Sequence, residues 1–127
     1  MRTSFSTPHT SSKLRQAAAL LALSAVVAST AQAMTIREMR TLEKTEKQGS
    51  TYADYYLVGV MEGAVEAQAQ AARAGAQPTI CLNGRRLEPS MAKNLYTTEL
   101  KRNADLYEAD MPVQMVLVNA LGTVYPC

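Results

Sequence analysis

Cys81 and Cys127 are the residues of this 127-residue chain that point most directly to covalent chemistry. Both lie downstream of a segment built like an export signal, and in an oxidising compartment two cysteines of a small domain more often join than stay free. Only one intramolecular pairing exists. In the chain-entropy view, closing that loop stabilises the fold by about 4 kcal/mol. It would also anchor Tyr125-Pro126-Cys127, a chain end that otherwise frays. The alternative is a free reactive thiol or a bridge between chains.

Glu62 and Glu66 are the second candidate, two carboxylates four apart on one helix face, as an acid and base couple would need. No substrate-binding motif accompanies them, so solvent-facing charge is the ordinary reading. His9 is the only histidine and falls within the expected leader, so no Ser-His or Cys-His pair can be assembled in the exported chain. A zinc site of His and Cys fails for the same reason, and no D-x-D-x-D-G calcium loop is present. The expectation is therefore a binding protein, not an enzyme, with no cofactor and no metal.

The leader is read from three regions. Residues 1 to 16 carry Arg2, Lys13 and Arg15 without an acidic residue; Ala17 to Ala28 form a twelve-residue apolar stretch; and Ala31, Gln32 and Ala33 give an A-x-A cleavage site. Twelve residues fall short of the roughly 20 needed to span a bilayer. Residues 1–33 are thus expected to be a cleaved signal peptide and residues 34–127 a periplasmic domain with no membrane attachment. Without its leader the chain keeps ten Lys and Arg against eleven Asp and Glu. The pI near 8.6 then belongs to the precursor, and no basic patch suggests a nucleic-acid partner.

Positioning falls to four predicted helices. Thr35 and Glu38 make a capping box for a helix over about 36 to 47. Gly49 interrupts it, and Ser50 or Thr51 is expected to cap a longer helix over 52 to 74, ended by Gly75 and Pro78. Tyr52, Tyr55, Tyr56, Gly59, Val60 and Gly63 fall on one face of that helix at spacings of three and four, which predicts a buried face. Two glycines four apart inside a helix suggest that another helix backbone crosses close by. After a loop with an Asn83-Gly84 turn and the neighbouring Arg85 and Arg86, a third helix is expected from Pro89 to about Asn103, with Ala92, Leu95, Tyr96 and Leu100 inward. An acidic segment with Asp105, Glu108 and Asp110 follows, Asp110 being placed to cap a last helix at Met111-Pro112. That helix carries the widest apolar stripe: Val113, Val116, Leu117, Ala120, Leu121 and Val124. No alternating strand pattern competes, so the fold class is all-α, a single small four-helix domain closed by one disulfide.

The stretch Tyr55 to Gly63 (YYLVGVMEG), the single Cys81 after a variable loop, Pro112 opening the last helix and the terminal Tyr125-Pro126-Cys127 together resemble the Rap/Tai proteins. These are the resistance-associated and type VI amidase immunity proteins of Gram-negative bacteria. The likeness covers about residues 50 to 127 and departs from the usual pattern at Leu82-Asn83-Gly84, where many relatives place a proline. It implies a small helical periplasmic protein, often a homodimer, that binds a peptidoglycan amidase effector delivered by type VI secretion and blocks its active-site groove. The segment with Asp105, Glu108 and Asp110, together with Arg85 and Arg86, is the expected effector contact. A periplasmic stress protein or holdase, or an orphan member with another binding partner, is the alternative.

Overall fold

The computed structural model describes residues 32–127; all but the last two residues of the expected leader lie outside them. Four helices make up the described chain: α1 (Ile36–Thr45), α2 (Gly49–Arg73), α3 (Met91–Arg102) and α4 (Val113–Val124), with a 3-10 turn at Ala104–Leu106. No strand occurs among these residues, in agreement with the all-α reading, and two isolated bridges, Thr35 with Pro112 and Ile80 with Pro126, fasten the two ends of the domain.

The expected capping box starts α1. Thr35 Oγ1 accepts from the Glu38 N–H at 3.2 Å, and the Glu38 carboxylate accepts from the Thr35 N–H at 2.7 Å. The latter bond holds the Glu38 carboxyl below its ordinary pKa, because it favours the charged form. Ile36 and Met39 are buried beneath this turn. The helix stops at Thr45, two residues short of the expected end.

Helix α2 begins at Gly49, so Ser50 and Thr51 lie inside its first turn and neither caps it; Gln48 holds the N-cap position without a side-chain bond. The tight corner explains the difference. Gly49 is buried, and a Cβ built on it would collide with the Leu42 carbonyl of α1, so the absent side chain lets the helix start hard against its predecessor. At the other end Gly75 N–H bonds the Ala72 carbonyl and Ala76 N–H the Ala71 carbonyl, the paired bonds of a Schellman stop.

Helix α2 buries Ala53, Leu57 and Met61, which corrects the expected inward face. Tyr55, Gly59 and Gly63 are exposed and Tyr56 is half-buried. A Cβ added at Gly59 or Gly63 would meet nothing within 4 Å, so no helix among the described residues crosses there. The core stripe is centred roughly 140° around the helix from the tyrosines and glycines. Its small member Ala53 has little hydropathy to announce it.

Helix α3 begins at Met91, after Pro89 and Ser90 form a turn, and buries Ala92, Tyr96 and Glu99. Lys93 reaches across to Asp54 of α2 at 2.9 Å and lies 3.9 Å from Glu43 of α1. These pairs are solvent-exposed and contribute little beyond orientation. Helix α4 buries Val113, Val116, Leu117, Ala120 and Leu121 as expected. Val124, the last member of the predicted stripe, is instead 42% exposed, because the chain turns there to bury Tyr125.

Asp110 does not cap α4; Pro112 occupies that position. The preceding residues are committed elsewhere: Met111 N–H bonds the Glu108 carbonyl, while the carbonyls of Ala109 and Met111 accept from Arg37 and Ile36 at 2.7 and 3.0 Å. The segment before α4 thus satisfies the free N–H groups at the start of α1. Burial of Ile36, Met39, Leu57, Met61, Leu117 and Leu121 between these helices supplies the main stabilisation, about 1.5–3 kcal/mol for each large side chain.

Candidate interaction surfaces

The bridge between Cys81 and Cys127 is formed, with a Cα separation of 4.9 Å. Cys81 N–H donates to the Tyr125 carbonyl at 2.8 Å, and Thr79 N–H to Gln68 Oε1 at 2.9 Å. The loop from α2 to α3 is therefore pinned at both α2 and the chain end. Asn83 and Gly84 both take positive φ, 51° and 78°, the geometry of the tight turn their sequence signals. Arg85 N–H closes that turn on the Leu82 carbonyl at 3.0 Å.

Arg85 stacks its guanidinium 4.8 Å from the centre of the buried Tyr125 ring. Such a contact is worth roughly 0.5–1 kcal/mol near solvent. Arg85 and Arg86, with Leu82 and Leu87, face Glu62, Val65 and Glu66 of α2 across a shallow cleft of about 280 Å³. Glu66 is itself bonded to Arg73 at 2.8 Å and to Gln70 at 3.2 Å. The Arg73 bond first, then Gln70, hold its carboxyl below the ordinary value. A carboxylate so occupied and exposed has no feature of a general base.

Asp105, in the 3-10 turn, and Glu108 and Asp110 beyond it are all exposed. Among the described residues none of the three joins an ion pair or a side-chain hydrogen bond. They stand on a backbone fixed by the bonds to α1 described above. The acidic segment precedes α4, whereas Arg85 lies against Tyr125 just after it. A twelve-residue helix is about 18 Å long, so the two expected contact sets occupy opposite ends of α4 and form no single site.

A buried polar network that an acidic letter in the sequence does not announce supports the acidic segment from below. Glu99 is 3% exposed. Its Oε1 accepts from Asn103 Nδ2 and from the Tyr107 hydroxyl, each at 2.8 Å. The same hydroxyl accepts from Asn119 Nδ2 of α4 at 3.0 Å. Burial pushes the Tyr107 phenol up from its ordinary pKa, the Asn119 bond opposes this, and the Glu99 bond adds to it. The network joins α3, the acidic segment and α4.

The third surface is apolar. Tyr55, Tyr56, Gly59, Val60, Gly63 and Ala64 of α2 meet Gln114 and Val118 of α4 around a groove of about 500 Å³. Tyr56 is steadied by accepting the Met34 N–H at 3.2 Å. Among the described residues no group of three His, Cys, Asp or Glu side chains stands together to hold a metal. No helix among them is long and apolar enough to cross a membrane. What these surfaces can do is bind: two charged patches at the ends of one helix and an uncharged groove along another.

Comparison with known families gives a match to the model of the Rap1a immunity proteins over residues 16–127. No curated protein matches the chain, and no solved structure does.

Proposed function

This chain belongs to the Rap1a immunity protein family, and from that membership we propose that it neutralises a peptidoglycan amidase delivered by a type VI secretion system. Its role is that of an immunity protein, with a toxin protein as its partner. The finer reading is that it acts in the periplasm after loss of residues 1–33, as a homodimer, and inhibits by covering the amidase's active-site groove.

The extent of the family match carries this reading, since residues 16–127 include every helix described above. Occlusion requires no catalysis by the inhibitor. It requires a surface already in its bound shape, because ordering a flexible segment on binding subtracts from affinity. The disulfide, and the backbone bonds that fix the segment before α4, supply such rigidity. Asp105, Glu108 and Asp110 form the main contact, with Arg85 and Arg86 as a secondary one.

Co-expression with a periplasm-directed amidase from the same genome tests the proposal. Cells are expected to survive with the protein and lyse without it, and the two purified proteins to form a stable complex. Continued lysis while the protein accumulates intact in the periplasm would reject protection against that amidase. Suppression of aggregation of unrelated unfolded proteins, without amidase binding, would favour a stress protein instead.

A further inference from the structure

Glu99 is the only buried acid among the described residues, and it lies at the bottom of a cleft between α3 and α4. Glu99 and Ala120 form the floor, 3% and 2% exposed, with Met91, Leu95 and Val124 as apolar walls and the exposed Arg102 at the rim. The cavity measures about 260 Å³, below the roughly 300–1,000 Å³ of drug-sized sites, so any ligand is small.

The two oxygens of Glu99 are unequally served. Oε1 accepts from Asn103 and from Tyr107, whereas the buried Oε2 has no hydrogen-bond partner among the described residues. A buried acceptor without a donor destabilises a fold, so such an atom beneath a cleft points to an occupant that donates. Arg102 is its complement. Three residues after Glu99 it shares that face of α3, and among the described residues its guanidinium enters no ion pair or side-chain hydrogen bond. Met91 and Leu95 precede Glu99 by two helical turns and one, so an apolar wall leads along α3 to the carboxyl.

We propose that this cleft binds a free α-amino acid with an aliphatic side chain. Its ammonium donates to Glu99 Oε2, its carboxylate meets Arg102, and its side chain lies against Met91, Leu95 and Val124. A simple amine would set a second cation beside Arg102, and a simple aliphatic acid a second carboxyl beside Glu99. A zwitterion suits both groups at once. Asn103 and Tyr107 hold the carboxyl through Oε1, which leaves the other oxygen for the ligand. Binding includes a turn of the exposed Arg102 side chain over the ligand, since Oε2 is closed to solvent. The site stands apart from the immunity reading and does not depend on it.

NMR titration of the isotope-labelled, oxidised protein in its exported form tests the site, with L-leucine as the probe beside isopentylamine, isocaproic acid and glycine. L-leucine is expected to give saturable shifts at the amides of Leu95, Glu99 and Ala120 at about 1 mM or below. Each of the other three lacks one feature and should bind about tenfold more weakly or worse. Glu99→Gln keeps an oxygen for Asn103 and Tyr107 and turns the other into an N–H donor, while Arg102→Ala removes an exposed group. Both variants should lose L-leucine affinity by about tenfold or more with a folded spectrum, and Arg102→Ala carries the test alone if Glu99→Gln does not fold. No saturable shift up to about 10 mM L-leucine would overturn the proposal, as expected if a trapped water alone meets Oε2. So would equal binding of the partial probes, or variants that bind L-leucine as the parent does, whether or not they lose the amidase.

Discussion

The hydroxyl of Tyr107 donates to the buried Glu99 carboxylate at 2.8 Å, and this bond joins the acidic segment to the back of α3. Removing it by Tyr107→Phe leaves a buried carboxyl oxygen with one donor fewer, a loss of about 1–3 kcal/mol. Urea unfolding is expected to show a lower midpoint with unchanged slope. An unaltered midpoint would mean that the network contributes no net stability.

Opening the bridge is a larger perturbation. Reduction, or the paired substitutions Cys81→Ser and Cys127→Ser, frees the loop from α2 to α3 and the Tyr125 end together. The expected loss is about 3–4 kcal/mol, read as the difference between unfolding curves with and without a reductant. Equal curves would show that the hydrogen bond from Cys81 to Tyr125 and the bridge between Ile80 and Pro126 suffice.

Burial pushes the Tyr96 phenol up to about 12, with Arg40 acting against the rise and Glu43 adding to it. The unfolded chain releases this proton near pH 10, whereas the native chain keeps it to about 12. Between those values the native state holds more protons, so stability is full below about pH 10 and falls as pH rises toward 12. The Tyr96→Phe variant should lose this dependence when urea midpoints are compared at pH 9, 10 and 11.

At the start of α1 the sign is opposite. The lowered pKa of Glu38 gives stability that is present above the carboxylate's unfolded value and declines as pH falls through its folded one. Thr35→Ala removes the cap at a cost of about 1 kcal/mol. An NMR titration should show the Glu38 carboxyl moving only part of the way up toward the ordinary value in that variant, because the hydroxyl bond is lost while the larger backbone N–H bond remains.

Effector binding should discriminate between the two ends of α4. The triple variant Asp105→Asn, Glu108→Gln, Asp110→Asn removes charges that no partner within the described chain occupies, and should weaken the complex by about tenfold or more, most at low salt. Arg85→Ala with Arg86→Ala should weaken binding less and lower stability slightly through the lost stack on Tyr125. Calorimetric titration of both variants with the amidase decides the matter; a larger loss in the arginine variant would move the contact to the other end.

Much of this architecture is legible in the letters wherever a local rule has a single solution. The capping box at Thr35 and Glu38, the Asn83-Gly84 turn and the apolar period of α4 each fix their own conformation with neighbours close in sequence. Spacing fails where the competing partner is distant. The stripe from Tyr52 to Gly63 declares an apolar face, but its period cannot say whether that face meets its own chain. Asp110 is a good cap in isolation, yet the carbonyls beside it are claimed by α1 some seventy residues earlier. Glu99 reads as surface charge because only the folded chain brings Asn103 and Tyr107 to it. The pairing of the two cysteines is legible because only one intramolecular bridge is possible, whereas the separation of Arg85 from the acidic segment needs the length and direction of α4.

The amides of Ile36 and Arg37 point into the carbonyls of Met111 and Ala109, and this gives the acidic segment a remote reporter. Their exchange with deuterated solvent requires those carbonyls to move away, so its rate tracks opening of the very stretch proposed to grip the toxin. A ligand clamped on Asp105 to Asp110 should therefore slow isotope uptake at two positions on the first helix that it never touches.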